Sequence, residues 1–188
     1  MDKEYYSSRL HVKLLDTTRV SDVLDFLIRN RNCFEIYEEP KPKDYYTIDY
    51  QSRVLNVEAA TFNDSFYMRY YLSPLYNKNI IGTVSFKKYQ HNNCTTMLVG
   101  YKIDKNFQRQ GYAYETLSLL IPRIFFTGEA TRLEALVDAT NTPSINLLKK
   151  LGFIHHSDDI AFRNIGRGNT LHHLYSLESP ISVKDMHQ

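Results

Sequence analysis

The sequence predicts a mixed α/β domain, and three observations carry that prediction. Residues 65–103 hold three strand-like segments joined by short polar turns, the mark of an antiparallel meander. Met97 to Val137 then reads strand, helix, strand, the order of a right-handed parallel crossover. Two further strand-like segments, Phe153 to His156 and Asn169 to Leu177, close the chain as a hairpin around a polar loop with Gly166 and Gly168. At 188 residues with 43% apolar content, the chain can bury a core without a metal or disulfide staple.

Each element has a local reason. Leu10, Val12 and Leu14 alternate as a first strand. Val20, Val23, Leu24, Leu27 and Ile28 fall at helical spacing behind Thr17 and Thr18, either of which can cap the helix. Asn32 to Lys43 is polar, holds Pro40 and Pro42, and reads as a loop. Tyr45, Ile48, Ser52, Leu55, Ala59 and Phe62 recur at helical steps, with Asp44 as the cap. Phe66, Met68, Tyr70 and Leu72 then alternate with Tyr67, Arg69 and Tyr71. Ile80, Val84 and Phe86 mark the next strand and Thr95 to Ile103 the third, with turns at Pro74–Lys78 and Gln90–Asn93.

Tyr112 to Phe126 places Ala113, Leu117, Leu120, Ile121, Ile124 and Phe125 on one helical face. Pro122 lies on the polar side and predicts a kink or an early end. Leu133, Ala135 and Val137 alternate as a strand. Thr142-Pro143 opens a last helix as cap and first residue, Ile145, Leu148 and Leu151 form its stripe, Lys149 and Lys150 suit its C-terminal dipole, and Gly152 stops it. Residues 1–188 read as a single domain with a core over about 9–178 and a loose tail at 179–188.

The stretch that points to function runs from Ile103 to Ala113. A strand that stops against a helix start leaves main-chain N–H groups unpaired and pointing one way, with the helix dipole behind them, which suits a phosphate. Gly111 removes the side chain where a ligand must come close. On the residues alone, an ordinary strand-to-helix turn explains the stretch equally well. Gln108-Arg109-Gln110-Gly111-Tyr112-Ala113, however, resembles the Gln/Arg-x-x-Gly-x-Gly/Ala motif of the GCN5-related N-acetyltransferases. The wider run Gly100-Tyr101-Lys102-Ile103-Asp104 with Gly111-Tyr112-Ala113-Tyr114-Glu115 is similar to the RimJ/RimL branch, which acetylates N-terminal amines. Asn141-x-x-Ser144 followed by Lys150-Leu151-Gly152-Phe153 is a second match at family spacing.

The resemblance implies a mostly antiparallel twisted sheet of about six or seven strands, splayed at a parallel pair, with about four helices over both faces. It implies acetyl-coenzyme A as cosubstrate. The pantetheine arm would lie between the strand ending at Ile103 and the one beginning at Arg132, bonded to backbone at Tyr101, Lys102 and Ile103. The N–H groups of Gln108, Arg109, Gln110, Gly111, Tyr112 and Ala113 would take the diphosphate, with Lys102, Lys105 and Arg109 near enough to add charge. Asn141 matches a position that contacts the pantetheine arm, and Ser144 one that lies near the thioester sulfur. A capping asparagine and an ordinary early-helix serine are the plain alternatives.

Transfer from a thioester to an amine needs a deprotonated amine, a stabilised oxyanion and a protonated thiolate; positioning supplies the rest. Many members of the family use a helix tyrosine as acid, but Leu148 stands there, so the acid falls to Ser144, a water or Tyr101. The base stays open among Glu35, Glu58, Glu134 and a relayed water. Glu35, Glu38 and Glu39 read as solvated acids; the family covers its acceptor site with this connection, so a charge here can hold an ammonium. Glu115 reads as structural. Neighbouring histidines on a strand point to opposite faces, so His155-His156 and His172-His173 read as exposed hairpin side chains, and no metal is expected.

Composition narrows the partners. A net charge of +2, with basic residues scattered among acids, argues against nucleic acid. No apolar run nears the roughly 20 residues of a membrane span, and Met1 to Ser8 lacks the apolar core of a signal peptide. Cys33 and Cys94 form no framework and no nucleophile motif, so a cytoplasmic, reducing setting is expected. The reading is an acetyl-coenzyme A dependent N-acetyltransferase, monomer or homodimer, whose acceptor is a primary amine attacking directly. A protein N-terminal α-amine of ribosomal type comes first. A small-molecule amine (polyamine, amino acid or antibiotic) and a module that binds coenzyme A without turnover are the alternatives.

Overall fold

Eight strands share one sheet in this computed structural model, which describes residues 1–91, 94–166 and 168–180. They are β1 (Glu4–Tyr6), β2 (Leu10–Lys13), β3 (Tyr67–Pro74), β4 (Gly82–His91), β5 (Cys94–Ile103), β6 (Arg132–Asp138), β7 (Ile154–Ile165) and β8 (Gly168–Glu178), in spatial order β1-β2-β3-β4-β5-β6-β8-β7. Every pairing is antiparallel except β5 with β6. Five helices accompany them: α1 (Val20–Arg29), α2 (Arg31–Phe34), α3 (Ile48–Phe62), α4 (Tyr112–Phe126) and α5 (Thr142–Lys150).

Strand alternation sends side chains to two cores. On one face Met68, Tyr70, Val84, Phe86, Met97, Val99, Leu133 and Ala135 pack with Leu117, Leu120 and Ile124 of α4 and Leu148 of α5. On the other, Tyr71 meets Val23, Phe26 and Leu27 of α1 and Leu55 of α3. The helices therefore cover both faces, as apolar sheet surfaces require.

Several details differ from the sequence reading. The sheet gains β1, too short to show a period; Tyr5 at its centre is buried and pairs in register with Val12. The Asn32–Lys43 stretch is not all loop, since α2 and a 3₁₀ turn at Glu35–Tyr37 occupy its start. Caps fall on neighbouring residues. Asp16, not Thr17 or Thr18, accepts from the Thr18 N–H and caps a 3₁₀ turn (Thr17–Arg19) that leads into α1, whose own N-cap Arg19 makes no side-chain bond; Thr47, not Asp44, accepts from Tyr50; Asn141, not Thr142, accepts from Ser144. Each run holds several oxygen-bearing side chains, and only the backbone path selects one. Helix α4 runs past Pro122 to Phe126 rather than ending early, because that proline faces solvent. The expected polar loop in the last hairpin is mostly strand, with a register shift between His156 and Ile160. Asn92, Asn93 and the tail beyond residue 180 lie outside the described residues.

Candidate active site

The parallel pair opens. Strands β5 and β6 are in register only at Thr96–Arg132, Met97–Leu133 and Leu98–Glu134. Beyond that, β5 keeps its pairing with β4 to Ile103, and β6 keeps its pairing with β8 to Asp138. A gap therefore separates Val99–Ile103 from Ala135–Asp138.

At the end of β5 the chain is anchored before it turns. The Asp104 carboxylate accepts from Arg29 Nε at 2.6 Å and Asn30 Nδ2 at 3.0 Å, and Asn30 Oδ1 accepts the Lys105 N–H at 2.9 Å. These bonds hold the Asp104 carboxyl below its ordinary range despite its burial, which works the other way. Gln108 Nε2 donates back to the Ile103 carbonyl at 3.1 Å, and Gln110 Nε2 to the Asn106 carbonyl at 3.1 Å. The loop's side chains thus satisfy its carbonyls.

Its N–H groups are left over. Among the described residues, no main-chain N–H from Gln108 to Tyr114 donates a hydrogen bond; the helical ladder starts with Glu115 N–H on the Gly111 carbonyl at 2.9 Å. Arg109 at φ 60° and Gly111 at φ 83° give the turn its left-handed steps. Unspent donors at a helix start fit the diphosphate of acetyl-coenzyme A. The side chains of Arg109 and Lys105 are exposed beside this corner.

Arg9, which sequence reasoning missed, joins them. Its guanidinium donates to Glu115 Oε2 at 2.6 Å and to the Gln110 carbonyl at 3.0 Å, and lies 4.4 Å from the centre of the Tyr112 ring. Glu115 also accepts from the hydroxyls of Ser7 and Ser8 at 2.7 and 3.0 Å, the structural role expected of it.

The gap leads into a cavity of about 230 Å³ whose lining includes Val99, Tyr101, Asp138, Asn141 and Ser144. The Tyr101 hydroxyl donates to the Ser144 carbonyl at 3.4 Å, so strand β5 and helix α5 bring the two acid candidates together. Burial pushes Tyr101 up to about 12, which keeps its proton in place. The Ser144 hydroxyl and the Asn141 Nδ2 have no partner among the described residues, whereas Asn141 Oδ1 is spent on the Ser144 N–H at 3.2 Å. Leu148, where a tyrosine would stand, is fully buried in the core.

A second cavity of about 460 Å³ adjoins the first and shares Tyr37, Glu38, Arg69, Lys102, Leu136 and His172 with it. Tyr45, Tyr50, Lys41 and Arg163 complete much of its wall. Lys102 sends its ammonium here, not to the diphosphate corner: it pairs with Glu38, which also takes Lys41 at 2.9 Å. Successive side chains of a strand alternate, so Tyr101 faces α5 while Lys102 faces away. Burial lowers Lys102 to about 8 against the pull of Glu38. Burial would raise Glu38, but Lys102 and Lys41 outweigh it and hold the carboxyl below its ordinary range.

Glu38 is half-buried and paired, which corrects its reading as solvated, whereas Glu39 stays exposed though paired. Glu39 pairs with Arg163, and Glu35 accepts from Arg31 at 3.1 Å and from the Tyr46 hydroxyl at 2.8 Å. Glu58 pairs with Arg69 at 2.7 Å, and Glu134 with Arg132 at 2.7 Å. Glu35, Glu58 and Glu134, the expected bases, line neither cavity. His172 is buried rather than exposed, and it lines both. His155 and His173 meet edge-on with ring centres 4.7 Å apart, yet no group of three metal-ligating side chains occurs among the described residues. No helix among those residues is long and apolar enough to cross a membrane.

The Glu38 wall of the second cavity is pinned by a close backbone contact. Gly166 donates its N–H to the Glu38 carbonyl at 2.9 Å, and a Cβ added there would sit 1.9 Å from the Glu35 carbonyl oxygen.

Comparison with known proteins agrees with this geometry. The family described as "Acetyltransferase (GNAT) domain" matches residues 14–154. The chain is 28% identical over 157 residues to the "Probable N-acetyltransferase YjcK" of Bacillus subtilis (strain 168), covering 83% of this chain and 85% of that protein. Its fold is similar to the ribosomal-protein-S5-alanine acetyltransferase from Vibrio fischeri, with a TM-score of 0.87 at 20% identity over 95% of this chain and 98% of that one. It is also similar to the microcin C7 self immunity acetyltransferase MccE, solved with acetyl-CoA and AMP, with a TM-score of 0.80 at 16% identity over 92% and 93%.

Proposed function

The chain belongs to the acetyltransferase (GNAT) family and is an acetyl-coenzyme A dependent N-acetyltransferase; we propose that it acetylates the α-amine of a protein N-terminus. The observation that carries this reading is the gap between β5 and β6, beside which two adjoining cavities lie. Donor and acceptor can occupy these neighbouring cavities and meet at the gap.

When bound, acetyl-coenzyme A supplies a thioester activated toward amines. The chain's own part is to hold, align and move protons. The free N–H groups from Gln108 to Tyr114 hold the diphosphate, with Arg9 and Arg109 beside them. The exposed backbone edges of Tyr101 to Ile103 and the Asn141 amide hold the pantetheine arm. The Ser144 hydroxyl, unpartnered and facing the smaller cavity, protonates the departing sulfur, with Tyr101 as its neighbour. A high tyrosine pKa disfavours Tyr101 as the donor itself, since its anion is costly there.

On the acceptor side the larger cavity has Tyr37, Tyr45 and Tyr50 around charges that are already paired. Such a wall suits the apolar and hydrogen-bonding surface of a chain end better than a compact polycation, which would need free carboxylates. The fold's similarity to a ribosomal-protein acetyltransferase supports the same class. The test is thiol release from acetyl-coenzyme A with a panel of N-terminal peptides and small amines, products being checked by mass. Peptides should lead in kcat/KM by at least about tenfold, roughly 1.4 kcal/mol of transition-state discrimination. Faster turnover of a small amine overturns the N-terminal reading. Tight cofactor binding with no turnover across the panel points to a binding module instead.

A further inference from the structure

We propose that His172 is the general base that removes the proton from the acceptor nitrogen. This rests on the acetyltransferase reading above and assigns a group to the one step the acids cannot serve.

The geometry is specific. His172 sits on β8 in register with Asp138 of β6, beside the gap, and is only 5% exposed. It lines both cavities and so belongs to the wall they share. Its Nδ1 lies 3.2 Å from the main-chain carbonyl oxygen of Thr170. A carbonyl can only accept, so Nδ1 carries the hydrogen and Nε2 is left with its lone pair. Nε2 has no hydrogen-bond partner among the described residues.

The neighbouring groups are committed elsewhere. Glu38 is held by Lys102 and Lys41, and Arg69 by Glu58. Arg163 of β7 is paired with Glu39. Asp138 Oδ1 accepts both the N–H and the hydroxyl of Thr140, at 2.8 and 2.6 Å. Lys102, the nearest cation on β5, faces the same shared cavity but is tied to Glu38. An imidazole with a fixed tautomer and a free nitrogen is what a base needs at such a seam.

The step balances. A neutral amine attacks the thioester carbon, and its nitrogen becomes positive as the N–C bond forms. Nε2 takes that proton. The C–S bond breaks, and the sulfur receives a proton from the Ser144 side. The imidazolium then loses its proton to water through the larger cavity, and the Ser144 side regains one.

Two measurements test this. In the wild-type protein labelled with ¹⁵N-histidine, long-range proton–nitrogen correlations should show His172 as the Nδ1–H tautomer; an Nε2–H tautomer overturns the proposal without any turnover. In the second, His172→Gln should lower kcat/KM for an accepted peptide by roughly 10²-fold or more, with the dissociation constant for coenzyme A within twofold of wild type. Added imidazole should restore turnover to His172→Gly and leave the wild type unchanged. Undiminished turnover in His172→Gln, or no rescue in a His172→Gly that still binds coenzyme A, removes His172 while the acetyltransferase reading stands. If the wild type turns over no amine at all, both fall together.

Discussion

The corner proposed to hold the diphosphate and the cavity proposed to take the amine are built from different materials. The corner uses main-chain N–H groups of one unbroken stretch, Gln108 to Tyr114, steadied by side chains of the same loop. The acceptor cavity uses side chains from distant segments: Tyr37 and Glu38, Arg69, Lys102, Arg163 and His172. A diphosphate is the same in every turnover, so backbone donors suffice for it. An acceptor is recognised by its particular groups, and side chains can change without rebuilding the turn. The two halves should therefore fail separately when altered.

The largest effect is expected at Gly111. Its φ of 83° costs a β-branched residue about 1–2 kcal/mol or more, and the strain is relieved by turning the N–H fan away. Gly111→Val should weaken coenzyme A binding by at least about thirtyfold, measured by calorimetry. A dissociation constant within threefold of wild type would show that the amides are not the grip.

Ser144→Ala comes next. Loss of a proton donor should lower kcat by roughly 10²-fold while leaving cofactor affinity nearly intact. An unchanged kcat takes the hydroxyl out of the chemistry.

Gly166→Ala probes the other half. The added Cβ would meet the Glu35 carbonyl at 1.9 Å, so the turn must move and carry the Glu38 wall with it. KM for the peptide should rise roughly tenfold, about 1.4 kcal/mol, with coenzyme A binding unchanged. A matching loss of cofactor affinity would break the separation of the halves.

Arg9→Met should be milder, because that guanidinium is half exposed and screened. About a threefold rise in the coenzyme A dissociation constant is expected, worth roughly 0.6 kcal/mol.

Lys102 bears on stability rather than on binding. Lys102 is lowered to about 8 in the fold, while an unfolded lysine titrates near 10.4. Above pH 8 the unfolded chain therefore binds more protons at this position, and stability rises with pH by no more than about 1.4 kcal/mol per unit. Urea unfolding at pH 8 and 9 should show this gain in the wild type relative to Lys102→Met. A constant difference between the two proteins would mean that Lys102 keeps its proton.

The chain's own order made the corner of unspent N–H groups legible. Strand, polar turn, single glycine and amphipathic helix are neighbours in sequence, and Tyr101 and Ser144 each carry a motif. The fold class followed for the same reason: alternation and helical spacing are local, and β3 to β6 with α4 between them formed where those patterns lie. Arg9 gave no signal, because its partners Gln110 and Glu115 lie more than a hundred residues away. Lys102 was placed with the phosphates by proximity, but strand alternation turned it to the opposite face.

His172 marks the limit of local reading. Two adjacent histidines in a closing hairpin look like surface side chains. Burial came from β8 lying inside the sheet, between β6 and β7, where one histidine faces the cavities and the next faces the aromatic cluster with His155. Sequence alone thus determined the elements and the stretch of unspent backbone N–H groups, since both depend on contacts between near neighbours. Tertiary structure alone decided which charges neutralise each other and which imidazole nitrogen stays free, since those depend on segments that meet only when the sheet is assembled.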